Sequence, residues 1–191
     1  GTNTDLKVAH CSNTNCTSAT ITTLDSTGNV GKYTSVTIGA DGLGLISYYD
    51  DTNDDLKVAH CSNTNCTSAT ITTLDSTGNV GKYTSVTIGA DGLGLISYYD
   101  DTNDDLKVAH CSNTNCSAST ITTLDSTGDV GHYTSFTIGA DGLGLISYYD
   151  DTNTDLKVAH CSDTNCTSAT ITTLDSTGDV GKYTSFTLGA D

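Results

Sequence analysis

The sequence contains no Glu, Gln, Arg, Pro, Met or Trp. Each absence excludes something. Without Arg there is no planar fork to hold a carboxylate or phosphate in bidentate fashion. Lys is the only base, 7 copies against 23 acidic residues that are all Asp, and the net charge is −16. Nucleic-acid affinity rests on basic side chains that displace counterions, so a phosphate-backbone partner is not expected. The charge favours solubility and cation binding instead. No apolar run is long enough to cross a membrane. Helix is also disfavoured, because Thr, Ser, Gly, Asn and Asp dominate and these residues prefer turns and strands. The chain has no initiating Met, starts at Gly1 in mid-repeat and stops at Asp191 in mid-repeat, so it reads as a processed or excerpted piece of something longer.

What is present is one unit used four times. Residues 1–50, 51–100, 101–150 and a truncated 151–191 almost coincide when overlaid. Units one and two differ only at Gly1/Asp51 and Thr4/Asp54, and unit three departs mainly at Ser117–Ser119, Asp129, His132 and Phe136. A period in this range signals a solenoid, a propeller or an array of small modules. Period-two patterning and turn residues predict four short strands per unit. In the first complete set these are Thr34–Gly39, Gly44–Asp50, Asp55–Cys61 and Ala69–Leu74. Ile71 and Leu74 fall on opposite parities, which predicts a bulge in the last strand. Asp41-Gly42 and Thr52-Asn53-Asp54 are turn signals, whereas the stretch Ser76–Tyr83 reads as a long link to the next unit. Three tight hairpins and one crossover make the fold all-β: tandem four-stranded antiparallel blades of the β-propeller type. The second strand is apolar on both faces, as a sheet sandwiched between neighbours requires.

The eight Cys form four Cys-x4-Cys pairs: Cys11/Cys16, Cys61/Cys66, Cys111/Cys116 and Cys161/Cys166. Each pair flanks a hairpin tip, where opposed Cα atoms lie within disulfide reach. A metal site would enlist His10, His60, His110 or His160, but adjacent residues of a strand face opposite ways, so the His and the Cys that follows it do not easily share one ion. Disulfides imply an extracellular or cell-surface location. Asn15, Asn65, Asn115 and Asn165 open triplets of the glycosylation type, and as turn residues they need no glycan to be explained.

The run Tyr-Tyr-Asp-Asp-Thr-Asn-Asp-Asp-Leu-Lys-Val-Ala at 98–109, with Asp-Ser-Thr-Gly-Asp-Val-Gly-His-Tyr-Thr-Ser at 125–135, resembles the repeats of secreted bacterial and archaeal β-propellers loosely akin to sialidase-like propellers. The resemblance implies the scaffold and not the activity. Sialidase-like catalysis needs an Arg cluster, and this chain has none. A paired-carboxylate glycosidase would draw on Asp25, Asp41, Asp50 and their copies, yet an acid and a base need different environments, which near-identical units do not offer. His132 stands where Lys32, Lys82 and Lys182 stand in the other units and reads as a surface substitution. No enzymatic activity is therefore expected.

Ligands and partners can be read only from clusters and edges. The Asp-rich turn between the second and third strands clusters hard oxygen ligands, which makes Asp50, Asp51 and Asp55, with Asp100, Asp101, Asp105, Asp150, Asp151 and Asp155, candidates for calcium; a plain solvated hairpin explains the same residues. Function is expected to be structural, as an extracellular surface or filament component. The alternative is a repeat lectin or adhesin with one shallow glycan site per blade, using Tyr33, Tyr48 or Tyr49. The second strand occurs only three times, at Gly44–Asp50, Gly94–Asp100 and Gly144–Asp150, while the others occur four times. That count leaves unpaired strand edges, and either a continuation of the chain or self-association by strand addition is expected to cover them.

Overall fold

The computed structural model describes residues 4–189, which form strands and turns without a helix. Fourteen strands succeed one another along the chain. Leu6–Cys11 (β1) and Ala19–Asp25 (β2) pair as a two-stranded sheet. Three four-stranded antiparallel sheets come next, each a meander in sequence order. They are Val30–Ile38, Gly44–Asp50, Asp55–Cys61 and Ala69–Asp75 (β3 to β6); Val80–Ile88, Gly94–Asp100, Asp105–Cys111 and Ser119–Asp125 (β7 to β10); and Val130–Ile138, Gly144–Asp150, Asp155–Cys161 and Ala169–Asp175 (β11 to β14). The last residues continue beside β11 without strand pairing of their own. The fourth copy of the first strand, which the repeat leads one to expect at 184–190, is not formed over 184–189, and position 190 lies outside the described residues.

The predicted second and third strands have the observed bounds. The first strand does not. It begins at Val30 rather than Thr34, so the link from the preceding sheet shrinks to Ser26–Asn29. The reason is local geometry. Gly31 (φ +80°) and Tyr33 (φ 52°) adopt left-handed conformations inside the strand, and the register slips between Val30 and Lys32 and again between Lys32 and Ser35. Two irregular positions erase the period-two pattern that would have marked these residues as strand. The bulge expected in the last strand is present: Lys57 pairs with Thr73 and Leu56 with Asp75, which leaves Leu74 unpaired.

The core lies between sheets rather than within one. Leu45, Leu56 and Val58 of one sheet pack against Val80, Val86, Ile96, Tyr98 and Ala109 of the next. The middle strands β4 and β8 are buried along nearly their whole length, which explains why Gly-Leu-Ile-Ser-Tyr-Tyr-Asp has no polar face. First strands of successive sheets run side by side, tied by Val86 N–H to Ser35 Oγ (3.1 Å), Phe136 N–H to Ser85 Oγ (3.0 Å) and Thr134 Oγ1 to the Tyr83 carbonyl (2.7 Å). This is the blade plan of a β-propeller, with first strands innermost. Each inner strand opens where it passes over the preceding blade. A Cβ on Gly81 would come within 2.7 Å of the Leu56 Cα, so glycine is required there for space as well as for its φ of +101°.

Four disulfides close the hairpin tips: Cys11–Cys16, Cys61–Cys66, Cys111–Cys116 and Cys161–Cys166, with Cα separations of 4.8–4.9 Å. No described helix is long and apolar enough to cross a membrane.

Candidate functional site

The irregular start of each inner strand does more than bend it. The left-handed residue is Tyr33, Tyr83 or Tyr133 within the strand, and Tyr183 at the matching place in the last residues, with φ between 52° and 56°. A left-handed aromatic residue is unusual, since Asn, Asp and Gly tolerate that region far better, and such strain clusters at functional positions. Here it turns the tyrosines out of the sheets and into one row. Ring centroids lie 4.6 Å apart for Tyr33 and Tyr83, 4.5 Å for Tyr83 and Tyr133, and 4.2 Å for Tyr133 and Tyr183, tilted by 44–55°. With Thr34, Thr84, Thr134 and Thr184 the row lines a cavity of about 270 Å³ at the inner edge of the blades. Tyr33 is 41% exposed and Tyr183 77%, so the row is open to solvent. Burial, together with the neighbouring Tyr33 and Tyr133, pushes the Tyr83 hydroxyl above the usual phenol range.

The other tyrosines have a different task. Tyr48 and Tyr49, expected as sugar-facing candidates, are 0% and 1% exposed and cannot meet a glycan. Tyr48, Tyr98 and Tyr148 donate at 2.7 Å to Asp25, Asp75 and Asp125 of the preceding sheet. Lys57, Lys107 and Lys157 complete these buried contacts, and the same lysines bind Asp50, Asp100 and Asp150 at 2.7, 3.1 and 3.3 Å. Asp50 also caps its turn, accepting from the backbone N–H groups of Thr52 and Asn53 and from Asn53 Nδ2.

The candidate calcium ligands are thus directed apart. Asp50 faces Lys57, Asp51 pairs with Lys32 (2.7 Å), and burial followed by the charge of Asp50 raises the Asp55 carboxyl above its ordinary range. Asp100, Asp101 and Asp105 divide in the same manner, with Lys107 and Lys82 as cations, and Asp150 meets Lys157, with Asp155 opposite Asp150 in the strand register and Asp151 in the turn beyond. Among the described residues no three His, Cys or Asp side chains gather in a way able to hold a metal ion. His60, His110 and His160 each meet a turn carboxylate (Asp41, Asp91, Asp141) at 2.8 Å rather than a cysteine sulfur. Asn15, Asn65, Asn115 and Asn165 sit exposed at the disulfide-closed tips.

The units do not offer four equal environments. Tyr49 Oη touches Asp54 and Asn79, and Tyr149 Oη touches Asp179, with Thr154 in place of the second acid and Lys182 beside the ring. Among the described residues only Tyr99 Oη lies between two carboxylates, 2.8 Å from Asp104 and 2.9 Å from Asp129. His132 Nε2 is 2.6 Å from the same Asp129 oxygen, and its ring lies 4.0 Å from Tyr99 and 5.5 Å from Tyr83 of the row. His132 is therefore no simple surface substitution. It is packed among aromatic rings with its side chain only 16% exposed. The sequence signal was partial, since His132 breaks the repeat and Asp129 stands where units one and two have Asn29 and Asn79, but nothing in the spacing says that they touch.

No known family profile matches the chain, and no curated protein matches it in sequence. Solved structures do. One described as a GH43 β-1,3-galactosidase matches with a TM-score of 0.58 at 10% identity, over 78% of this chain and 33% of that one. An α-L-arabinofuranosidase from Lactobacillus brevis matches with a TM-score of 0.46 at 11% identity, over 74% of this chain and 52% of that one. The chain thus spans about a third to a half of the length of these proteins. At such identity the likeness concerns the fold, and it agrees with the propeller-blade architecture. It also corrects the expectation of a chain without enzymatic activity. The scaffold found here is shared with the structure described as a GH43 β-1,3-galactosidase, and the three junctions at Tyr49, Tyr99 and Tyr149, expected to be equal, differ. The expected resemblance holds for the propeller scaffold, whereas these matches are to galactosidase and arabinofuranosidase structures.

Proposed function

We propose that this chain is a secreted glycan-engaging propeller array whose binding platform is the row Tyr33, Tyr83, Tyr133 and Tyr183. The observation that carries this reading is the row itself. Four strained, partly exposed aromatic rings stand in mutual contact and line one open depression, while Thr84, Thr134 and Thr184 beneath them are engaged in the seam between blades. Aromatic faces cover the apolar face of a sugar ring. The depression of about 270 Å³ is shallow and open, which suits a sugar lying across the rings rather than one enclosed by them. The net charge is −16, and Asp104 and Asp129 meet Tyr99, whose ring lies 6.2 Å from Tyr83, so a neutral glycan is favoured over an anionic one. Four disulfides suit an oxidising compartment, which supports secretion. The galactosidase fold match makes β-1,3-linked galacto-oligosaccharides the first ligands to try. Titration calorimetry should show binding that Tyr83→Ala weakens at least tenfold; binding unchanged in Tyr83→Ala and Tyr133→Ala would remove the row from consideration.

A second reading rests on the carboxylate pair. Asp104 and Asp129 share the Tyr99 hydroxyl at one junction only, beside the row, and His132 differentiates the two acids. Unequal environments are what a general acid and a general base need to cleave a glycosidic bond. Sugar release from a β-1,3-galactan should then fall at least a hundredfold in Asp129→Asn and Asp104→Asn. An unaltered rate in both variants, or no release by the wild-type chain, would exclude this reading.

A further inference from the structure

We infer that the tyrosine row is also a site of oxidative cross-linking, in which adjacent blades become joined by carbon–carbon bonds between neighbouring tyrosine rings. Proteins ordinarily absorb oxidants at Met, Trp and free Cys. This chain has no Met and no Trp, and it has no free cysteine among the described residues. Tyrosine is thus the most readily oxidised side chain left. Six of the ten tyrosines are buried, with at most 2% exposure, and hydrogen-bonded to carboxylates. The other four form the row, which an oxidant can reach at Tyr33 and Tyr183.

Ring geometry selects the coupling partner. Centroid separations of 4.2–4.6 Å with rings tilted by 44–55° bring ring edges into van der Waals contact. A tyrosyl radical at either end therefore touches another phenol at once, and that phenol belongs to the same chain. A peroxidase-type oxidant with hydrogen peroxide removes one electron and one proton from each of two tyrosines, and the peroxide is reduced to two waters. The two radicals couple through ring carbons adjacent to the hydroxyl-bearing carbons. Each ring then moves the proton from its coupled carbon to its phenolic oxygen, which restores two phenols. The net change is the loss of two hydrogen atoms per link.

The location gives the link a mechanical consequence. Every disulfide closes a hairpin over a sequence separation of 5, so none spans two blades. The inner seam between blades is held by side-chain hydrogen bonds such as Thr84 Oγ1 donating to Ser47 (2.9 Å) and Ser97 Oγ donating to Thr134 (2.8 Å). A ring-to-ring bond from Tyr33 to Tyr83, or from Tyr83 to Tyr133, would fasten that seam covalently.

The test uses the whole chain, dilute, with a peroxidase and hydrogen peroxide. The expected product is a monomer on a reducing gel that carries dityrosine fluorescence, has lost two hydrogens per link and melts at a higher temperature than the untreated chain. Replacing Tyr83 and Tyr133 together by Phe separates Tyr33 from Tyr183 by two unreactive rings. That double variant, with its strand signature in circular dichroism intact, should lose the monomeric fluorescent product. Dityrosine found only in covalent dimers, a monomeric product that survives in the double variant, or no dityrosine at all would each overturn the inference. Glycan binding by the untreated chain is measured separately, so the two proposals fail independently.

Discussion

Single residues decide where each inner strand can pass. Gly81 and Gly42 both have positive φ, +101° and +78°, but their surroundings differ. A Cβ at Gly81 would press on Leu56 backbone, whereas one at Gly42 would meet nothing within 4 Å. Gly42→Ala should therefore cost only the conformational penalty, about 1 kcal/mol. Gly81→Ala adds a clash with backbone that cannot give way, and should cost about 2 kcal/mol more. Chemical denaturation of both variants checks the difference; equal midpoints would mean that the inner strand can lift off the preceding blade. The tyrosine just beyond this glycine keeps its left-handed φ for a related reason. Packing of ring on ring holds it there.

At the scale of the hairpin, the four disulfides are chemically equivalent and structurally unequal. Cys11 and Cys16 are exposed, whereas Cys61, Cys66, Cys111, Cys116, Cys161 and Cys166 are at most 5% exposed. The buried bridges pack in the inter-blade core, where Cys111 and Cys116 lie against Val86 and Ile96. Mild reduction with a thiol followed by alkylation should label Cys11 and Cys16 first and the other six only with unfolding. Uniform labelling of all eight would show that the tips breathe together. Each bridge closes a short loop and should contribute about 2 kcal/mol through the unfolded state.

Across the whole molecule, blade is joined to blade by buried carboxylates. Burial alone would raise the carboxyl of Asp75, but the Tyr98 hydroxyl, the Thr77 N–H and Lys107 outweigh it and hold the group below its ordinary range. Asp125 behaves likewise, with burial outweighed by Lys157, Tyr148 and the Thr127 N–H. A carboxylate whose folded pKa is depressed binds fewer protons than in the unfolded chain. Its stabilisation is fully present above the unfolded value of about 4 and is lost as pH falls through the folded one. Thermal midpoints should hold from neutral pH to about pH 5 and then drop steeply below about pH 4. Tyr98→Phe removes a donor to Asp75 and should lower the neutral-pH stability by about 1–3 kcal/mol. A flat profile down to about pH 3 would show that these contacts do not hold the blades together.

Much of the architecture was legible in the sequence, because it depends on local chemistry repeated four times. Period-two patterning placed Gly44–Asp50 and Asp55–Cys61, turn residues placed the hairpins, and Cys spacing placed the bridges. A strand apolar on both faces announced that sheets stack, since one blade cannot bury both. The candidate site was not legible for a physical reason. Its residues lie 50 positions apart in sequence and meet only because inner strands align around an axis. Tyr33 was a candidate sugar contact from the sequence, but the strand that carries it was not legible, because two left-handed residues hide it. Tyr48 and Tyr49 looked available although inter-blade packing buries them. His132 was visible as a departure from the repeat and Asp129 as a change from Asn29 and Asn79, but their contact with each other and with Tyr99 is a property of the folded junction. Local interactions set the strands and turns; the packing of one blade on the next decided which tyrosines face solvent and which acids share a proton donor.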